Sequence, residues 1–257
     1  MYNKYVVDLS TDNFKKLEAE SKMSQLNNKE KKLLREFFNE TTKFTNINAL
    51  EKMDELFPVK SYDVFISHSH NDLSQAKILK SYLETNFDLK VFIDSDYWES
   101  SDEYLKELDN EYCKLDSGNY SYEKRNLTTS HVHVMLAISI MKIIKESEVV
   151  LFLSTDEFAG AIFDKGFSEI HSPWIYLETF TTKIIHSVPK RISNQFRDSF
   201  KALEEQAKLN IQYNVAFDKS EKINMRVLNA WSTKFLVNRN SGKVFKHPLD
   251  LLYEIAK

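Results

Sequence analysis

One glutamate stands in an otherwise apolar stretch of the chain, and its neighbours could give it a chemical role. Residues 171–180 read HSPWIYLETF, so Glu178 follows Trp174 by about one helical turn. Ser172 is a favourable N-cap and Pro173 a favourable first helical residue, which together predict that a helix begins here. A carboxylate pressed against an indole is partly desolvated and can stabilise a cationic transition state.

The competing interpretation of Glu178 is a solvent-exposed carboxylate near the start of a helix, where the helix dipole favours negative charge. That effect fades beyond the first turn, and Glu178 lies past it. On a helical projection Glu178 falls at the edge of one apolar arc. That arc consists of Trp174, Leu177, Phe180, Ile184 and Ile185. The spacing alone leaves both interpretations open.

Further polar residues follow short apolar runs that are typical of strands buried in a parallel sheet. These runs are residues 62–67, 89–94 and 148–155, which read YDVFIS, LKVFID and EVVLFLST. Ligands of open parallel sheets bind at the carboxyl ends of the strands. We therefore expect Ser67 and His68, at the end of the first run, and Asp94 and Ser95, at the end of the second, to line a binding cleft.

Helical patterns separate the predicted strands. Apolar residues step by three and four positions from Leu73 to Leu83, and residues 131–147 are apolar almost all round, as in a helix buried between layers. The order strand, helix, strand indicates βαβ units and therefore an α/β fold with a parallel sheet. Glycine and proline, four residues of each, are too scarce for a sandwich with many tight turns.

The composition of the chain changes outside the predicted sheet. Residues 1–60 are rich in Lys, Glu, Asn and Leu and are predicted to form a helical extension. Residues 61–190 form the predicted core, with a polar insertion near 99–130. Residues 191–257 are predicted to add a strand and a final amphipathic helix that pack on that core.

Charge and cysteine content narrow the class of protein. A net charge of −3 gives no reason to expect nucleic acid or an anionic membrane as a partner. A single cysteine, Cys113, excludes an internal disulfide and suits a reducing compartment. The first twenty residues lack a signal pattern, and no apolar run approaches membrane-spanning length. We expect a cytoplasmic protein without a membrane partner.

Two other constellations have weaker chemical interpretations. The pairs His68/His70 and His131/His133 could bind zinc if they met, but no cysteine or carboxylate completes a metal motif, and we expect no metal. The carboxylates that follow the second strand form either a solvated loop face or a ribose-binding acid. They are Asp94, Asp96, Asp102 and Glu103.

Four segments together resemble Toll/interleukin-1 receptor (TIR) domains in their order and approximate spacing. They are YDVFISHSHND, VFIDSD, VVLFLS and SPWIYLE. The last meets the family pattern Ser-x-Trp-x-x-x-Glu through Ser172, Trp174 and Glu178. The resemblance implies a flavodoxin-like parallel sheet with helices on both faces. In the NAD-cleaving members of the family this glutamate is catalytic, and the tryptophan lies beside the nicotinamide ribose.

The chain is also similar to stand-alone bacterial TIR-like proteins of antiphage defence, of which the Thoeris type is the best known. That similarity implies NAD⁺ as substrate, no cofactor, and an ADP-ribose-derived messenger that reaches a separate effector. It also implies a homo-oligomer on activation. Glu178 would be catalytic, while Trp174, Ser67, His68, Asp94 and Ser95 would bind the substrate. The long insertion departs from the family, whose corresponding loop is short and mediates self-assembly.

Two alternatives to an NAD⁺-cleaving enzyme remain open. One is a non-catalytic TIR scaffold that signals by self-association, although such a scaffold has no need of Trp174 and Glu178. The other is a nucleotide sensor or an enzyme similar to 2-deoxyribosyltransferases, on a similar sheet. That enzyme would need a second acid or a tyrosine near Glu178, for which Asp96 and Tyr97 are the candidates.

Overall fold

The computed structural model describes residues 3–21, 48–58, 60–154, 167–170, 172–187, 213–216, 221–240 and 247–256. Five parallel strands form its central sheet: β1 (Asn3–Asp8), β2 (Val64–Ser67), β3 (Val91–Ile93), β4 (Val149–Ser154) and β7 (Glu221–Ile223). Their order is β3-β2-β4-β1-β7, a flavodoxin-like arrangement. Two further strands, β5 (Phe167–Ile170) and β6 (Tyr213–Ala216), form a separate antiparallel pair. The predicted fold class is confirmed.

Helices cover both faces of the five-stranded sheet. On one face lie α1 (Thr11–Glu20), α3 (Leu73–Phe87), α7 (Met225–Asn240) and α8 (Pro248–Ile255). On the other face lie α2 (Ala49–Leu56), α4 (Ser95–Leu108), α5 (Tyr122–Glu146) and α6 (Pro173–Ser187). The side chains of each strand alternate between the two cores: Val64 and Ile66 of β2 face the first, and Phe65 faces the second. Burial on both faces explains why the strands read as continuous apolar runs.

The N-terminal strand β1 was not predicted, since residues 1–60 read as helical. It lies between β4 and β7 in parallel register, with Asn3 opposite Val149, and its residues Tyr5, Val6 and Val7 are buried. Its apolar stretch is only three residues long, which is too short for the pattern to separate a strand from a loop. The helices α1 and α2 agree with the predicted character of the rest of this segment where it is described.

The polar segment 99–130, predicted as an insertion after the second strand, is largely helical. Helix α4 continues into a π-helical turn, Asp109–Cys113, and α5 begins at Tyr122. Tyr104 and Leu108, one turn apart, are buried and give α4 its apolar stripe. Asp109 is also buried and accepts hydrogen bonds from Arg125 Nε at 2.7 Å and Thr128 Oγ1 at 2.7 Å.

Helix α5 spans 25 residues and is long and apolar enough to cross a membrane by length and composition alone. The sequence pattern had predicted no segment of that length. Val132, Leu136, Ile140 and Ile143 are nevertheless fully buried in the core beside α4 and the sheet. One face of the helix is therefore packed in the core of this fold, while other apolar residues such as Leu127 and Val134 are exposed.

Candidate active site

The carboxyl group of Glu178 lies at the end of β2, inside the protein. Ser67, the last residue of that strand, donates a hydrogen bond from Oγ to Oε2 of Glu178 at 2.5 Å. Both side chains are fully buried, with 0% of the surface of Glu178 exposed. The second oxygen of Glu178, Oε1, has no hydrogen bond of good geometry to the described residues. The carboxyl ends of the strands and helix α6 therefore bring Ser67 and Glu178 together, as the sequence predicted.

Helix α6 begins where its sequence predicts but turns a different face inward. The Ser172 hydroxyl accepts a hydrogen bond from the backbone N–H of Ile175 at 3.4 Å, which caps the helix. The buried stripe runs through Ile175, Glu178, Thr179 and Thr182, at positions i, i+3, i+4 and i+7. Phe180, which the helical projection placed on the apolar arc, is 37% exposed. Glu178 thus lies within the buried face.

Asp94 and His68 form a buried ion pair beside Glu178. Asp94 directly follows β3, His68 directly follows β2, and the two side chains approach to 3.0 Å between Asp94 Oδ1 and His68 Nδ1. Asp94 is 4% exposed and His68 is 5% exposed. The contact has the distance of an ion pair, while its angle falls short of a good hydrogen bond. The residues predicted from two different strand ends therefore meet.

Two half-buried tryptophans pack against each other beside Asp94. Trp98, one turn into α4, donates a hydrogen bond from Nε1 to Oδ2 of Asp94 at 3.2 Å. Its ring packs edge-on against Trp174 with centroids 4.4 Å apart, and the ring of His133 also packs edge-on against Trp174 with centroids 5.5 Å apart. Trp174 is therefore linked to Glu178 through Trp98 and Asp94. The sequence interpretation missed Trp98, although its spacing from Asp94 is that of neighbours on a helix.

The remaining predicted site residues have different surroundings. Ser95 starts α4, and its buried hydroxyl has no hydrogen-bond partner within the described parts of the chain. Asp96 is exposed and pairs with Lys80 at 2.9 Å, while the Tyr97 hydroxyl donates to the Pro58 carbonyl. The side chains of Asp96 and Tyr97 are therefore engaged elsewhere, and Asp94 is the acid whose charge acts on Glu178.

The histidine pairs do not converge. His70 is exposed in the turn after β2, and His131 and His133 are exposed on α5, while His68 contacts Asp94. Within the described ranges, no three histidine, cysteine or acidic side chains group in a way that could hold a metal ion.

Burial and neighbouring charge set the protonation of this site. Burial raises the pKa of Glu178 well above its ordinary value of 4.5, and the nearby negative charge of Asp94 raises it further, against the opposing effect of Ser67. Burial lowers the pKa of His68, but its contacts with Asp94 outweigh that effect and leave the pKa raised. A protonated Glu178 beside an Asp94–His68 ion pair carries no net buried charge.

Replacement of Ser67 by alanine tests the hydrogen bond that holds Glu178. We expect S67A to lower the free energy of unfolding by about 1–2 kcal/mol, because a buried carboxyl oxygen loses its donor. Equilibrium urea unfolding measures the effect. The matched control is S74A, since Ser74 is exposed near the start of α3. Equal stabilities of S67A and S74A would show that the Ser67–Glu178 contact contributes nothing.

Comparison with known proteins gave no relative: no family model, no curated protein and no solved structure matches this chain.

Proposed function

We propose that this protein cleaves the bond between nicotinamide and ribose in NAD⁺, with Glu178 as the catalytic carboxylate, and that it acts in bacterial antiphage defence by releasing an ADP-ribose-derived signal. The observation that carries the proposal is the position of Glu178, whose carboxyl lies at the end of β2 next to Ser67. Ligands bind at this edge in open parallel sheets. The resemblance of the sequence motifs to TIR domains is the reason for proposing NAD⁺ as the substrate.

The chemistry needs one well-placed carboxylate. When the bond between the ribose C1′ and the nicotinamide nitrogen breaks, its electron pair leaves with nicotinamide, and the ribose develops oxocarbenium character. A carboxylate beside that carbon stabilises the cation or holds the ribose hydroxyls, as in glycoside hydrolysis. Attack by water yields ADP-ribose, and attack by a group of the same molecule yields a cyclic product. Exclusion of water favours the cyclic product.

The half-buried pair of indoles offers a surface for the leaving group. Trp98 and Trp174 lie edge to face, and each is only partly buried. The nicotinamide ring of NAD⁺ is planar and carries a positive charge, and such a ring is attracted to the face of an indole. Trp98 also holds Asp94 through its Nε1, so a ring bound at the indoles would lie next to the carboxylates.

The complete burial of Glu178 supports a closed resting form of the site. With none of its surface accessible, Glu178 cannot contact a ribose until neighbouring side chains move. This observation supports a protein that is inactive at rest and that opens its site on activation, for which the TIR resemblance suggests homo-oligomer formation.

The test is release of nicotinamide from NAD⁺ labelled in the nicotinamide ring, in lysates of bacteria that make the protein and have been challenged with phage. We expect release with the wild-type protein and none with E178Q. Equal release by both proteins would remove Glu178 from the mechanism. A scaffold that signals without catalysis would release nicotinamide in neither lysate, and its protection against phage would survive the E178Q substitution.

The second acid beside Glu178 favours one further candidate, an enzyme that exchanges the base of a deoxynucleoside. Such an enzyme needs a second acid or a tyrosine near the catalytic carboxylate, and Asp94 is the acid whose charge acts on Glu178. The same lysates, supplied with a deoxynucleoside and a different free base, distinguish this reaction. Formation of the exchanged nucleoside without nicotinamide release would favour this second candidate.

A further inference from the structure

Three titratable side chains are buried together at the carboxyl edge of the sheet, and they differ in the partners they have. Asp94 has a partner on each carboxyl oxygen: the imidazole of His68 lies at an ion-pair distance of 3.0 Å from Oδ1, and Trp98 Nε1 donates a hydrogen bond to Oδ2 at 3.2 Å. Glu178 receives one neutral hydroxyl, from Ser67, on one oxygen. A buried negative charge requires a cation or several donors to be stable. The surroundings of Asp94 suit a carboxylate, and those of Glu178 suit a neutral acid.

The two carboxyl groups also act on each other. Asp94 is the charged neighbour whose negative charge raises the pKa of Glu178, and each group has one buried oxygen, Asp94 Oδ1 and Glu178 Oε1, without a hydrogen bond of good geometry to the described residues. Two like charges buried next to each other inside a protein are strongly disfavoured, so one of the two groups keeps a proton. The proton belongs with the group that has no cation beside it, which is Glu178.

From this arrangement we propose that Asp94 is a positioning residue that holds a proton on Glu178 in the closed protein, while His68 balances the charge of Asp94. The inference deepens the proposed function by giving its site a resting state, and it depends on that function only for its catalytic consequence. A neutral Glu178 cannot stabilise an oxocarbenium ion as a carboxylate does. Loss of the proton to solvent, when the site opens or a cationic nicotinamide ring enters, would convert the side chain to its active form.

The other charged groups near Glu178 leave this assignment intact. Asp72 lies beyond His68 and adds negative charge around the histidine. From α5, the exposed His133 packs against Trp174, one turn away along α6. A rise in pH therefore removes the proton from Glu178, and the charges of the Asp94–His68 pair influence the pH at which this happens.

The pH dependence of folding tests where the proton is without any use of NAD⁺. An acid that is protonated in the folded state but has its ordinary pKa when unfolded binds more protons folded than unfolded above about pH 4.5. Its contribution to stability is then lost as the pH rises towards the folded pKa. The glutamine of E178Q does not titrate. We therefore expect the ratio of the folding equilibrium constant of E178Q to that of the wild type to rise by up to about tenfold per pH unit from pH 5 upwards.

Urea unfolding of the wild type and E178Q at several pH values between 5 and 8 gives this ratio, and comparison of the two proteins cancels most of the titration of His68. A ratio that stays constant across the range would overturn the proposal. An infrared difference spectrum of the two proteins at neutral pH is a second readout. We expect the carbonyl band of a protonated carboxylic acid in the wild type, and its absence would likewise overturn the proposal.

Both Asp94 and burial favour a protonated Glu178, and urea unfolding of D94N and D94N/E178Q separates the two contributions. Removal of the negative charge of Asp94 lowers the pKa of Glu178. At pH 8 the ratio of the folding equilibrium constants of D94N/E178Q and D94N should therefore be at least about tenfold smaller than the ratio for E178Q and the wild type, and this ratio is the stability gap. The control is D96N, which removes an exposed carboxylate on the same helix and should leave the gap unchanged. An unchanged gap in the D94N background would assign the proton to burial alone and would overturn the role of Asp94. Nicotinamide release could still depend on Glu178 in that case, so the proposed function would stand.

Discussion

Replacement of Glu178 by glutamine is expected to lower the rate of nicotinamide release by about 10²- to 10³-fold in the activated protein, which is the usual cost of losing one pre-positioned electrostatic group. Glutamine has the same shape and can still accept the hydrogen bond from Ser67, so the fold is retained. What it cannot do is carry a negative charge against a developing oxocarbenium ion. The loss therefore reports the charge of the carboxylate rather than its volume.

Two further variants make that experiment specific. E178D keeps the charge but withdraws it by one methylene group, and we expect an intermediate rate because the carboxylate no longer reaches the sugar in the same position. E146Q is the matched control, since Glu146 is exposed at the end of α5 and precedes the start of β4, whereas the site lies at the carboxyl ends of the strands. If E178Q and E146Q turn over NAD⁺ at the same rate, Glu178 is not the catalytic carboxylate.

The second large effect concerns the C-terminal helices. W231A is expected to lower the free energy of unfolding by about 3–5 kcal/mol. Trp231 is 1% exposed and stacks on Phe87 of α3 with centroids 4.0 Å apart. Its Nε1 donates to the Pro248 carbonyl at 2.8 Å, at the start of α8. Truncation leaves a cavity and removes the indole donor from the Pro248 carbonyl at the point where α3, α7 and α8 meet.

Guanidinium unfolding followed by circular dichroism measures this loss, with V237A as control because Val237 is 63% exposed on the same helix. W231F retains a ring against Phe87 but loses the N–H donor, so we expect its stability to fall between those of W231A and the wild type. Similar stabilities of W231A and V237A would mean that α7 and α8 are not part of the cooperative core.

The central strands were predictable because burial on both faces leaves a clear sequence pattern. The runs at 62–67, 89–94 and 148–155 correspond to β2, β3 and β4, and the capping pair Ser172–Pro173 marks the start of α6. Strand β1 was not predictable, since three apolar residues form no period. Its place in the sheet depends on pairing with β4 and β7, which are distant in sequence.

The polar composition of α4 concealed a helix for a related reason. Its buried stripe is narrow, and its surface carries the Asp, Ser and Glu residues that are common in loops. Tyr104 and Leu108 become informative only once a partner surface, α5, is known to cover them. The segment therefore read as an insertion, whereas it packs as part of the layer that covers one face of the sheet.

The sequence predicted four residues of the candidate site but not the contacts among them, nor the part played by Trp98. Ser67, His68, Asp94 and Glu178 were expected at one edge because parallel strands end together, and the structure brings them together. The hydrogen bond from Trp98 and the complete burial of Glu178 depend on how α4 and α6 pack. No local pattern specifies that packing. The helical projection accordingly placed Glu178 at the edge of the apolar arc, and the folded helix turns it fully inward.

The most direct test of the central claim is mass spectrometry of nucleotides in bacteria that express the protein, before and after phage challenge. With the wild-type chain we predict that NAD⁺ falls after challenge while nicotinamide and an ADP-ribose-derived product appear, and that cells with E178Q keep their NAD⁺. Equal loss of NAD⁺ in cells with the wild type and with E178Q would contradict the claim that the buried carboxylate at the end of β2 performs the cleavage.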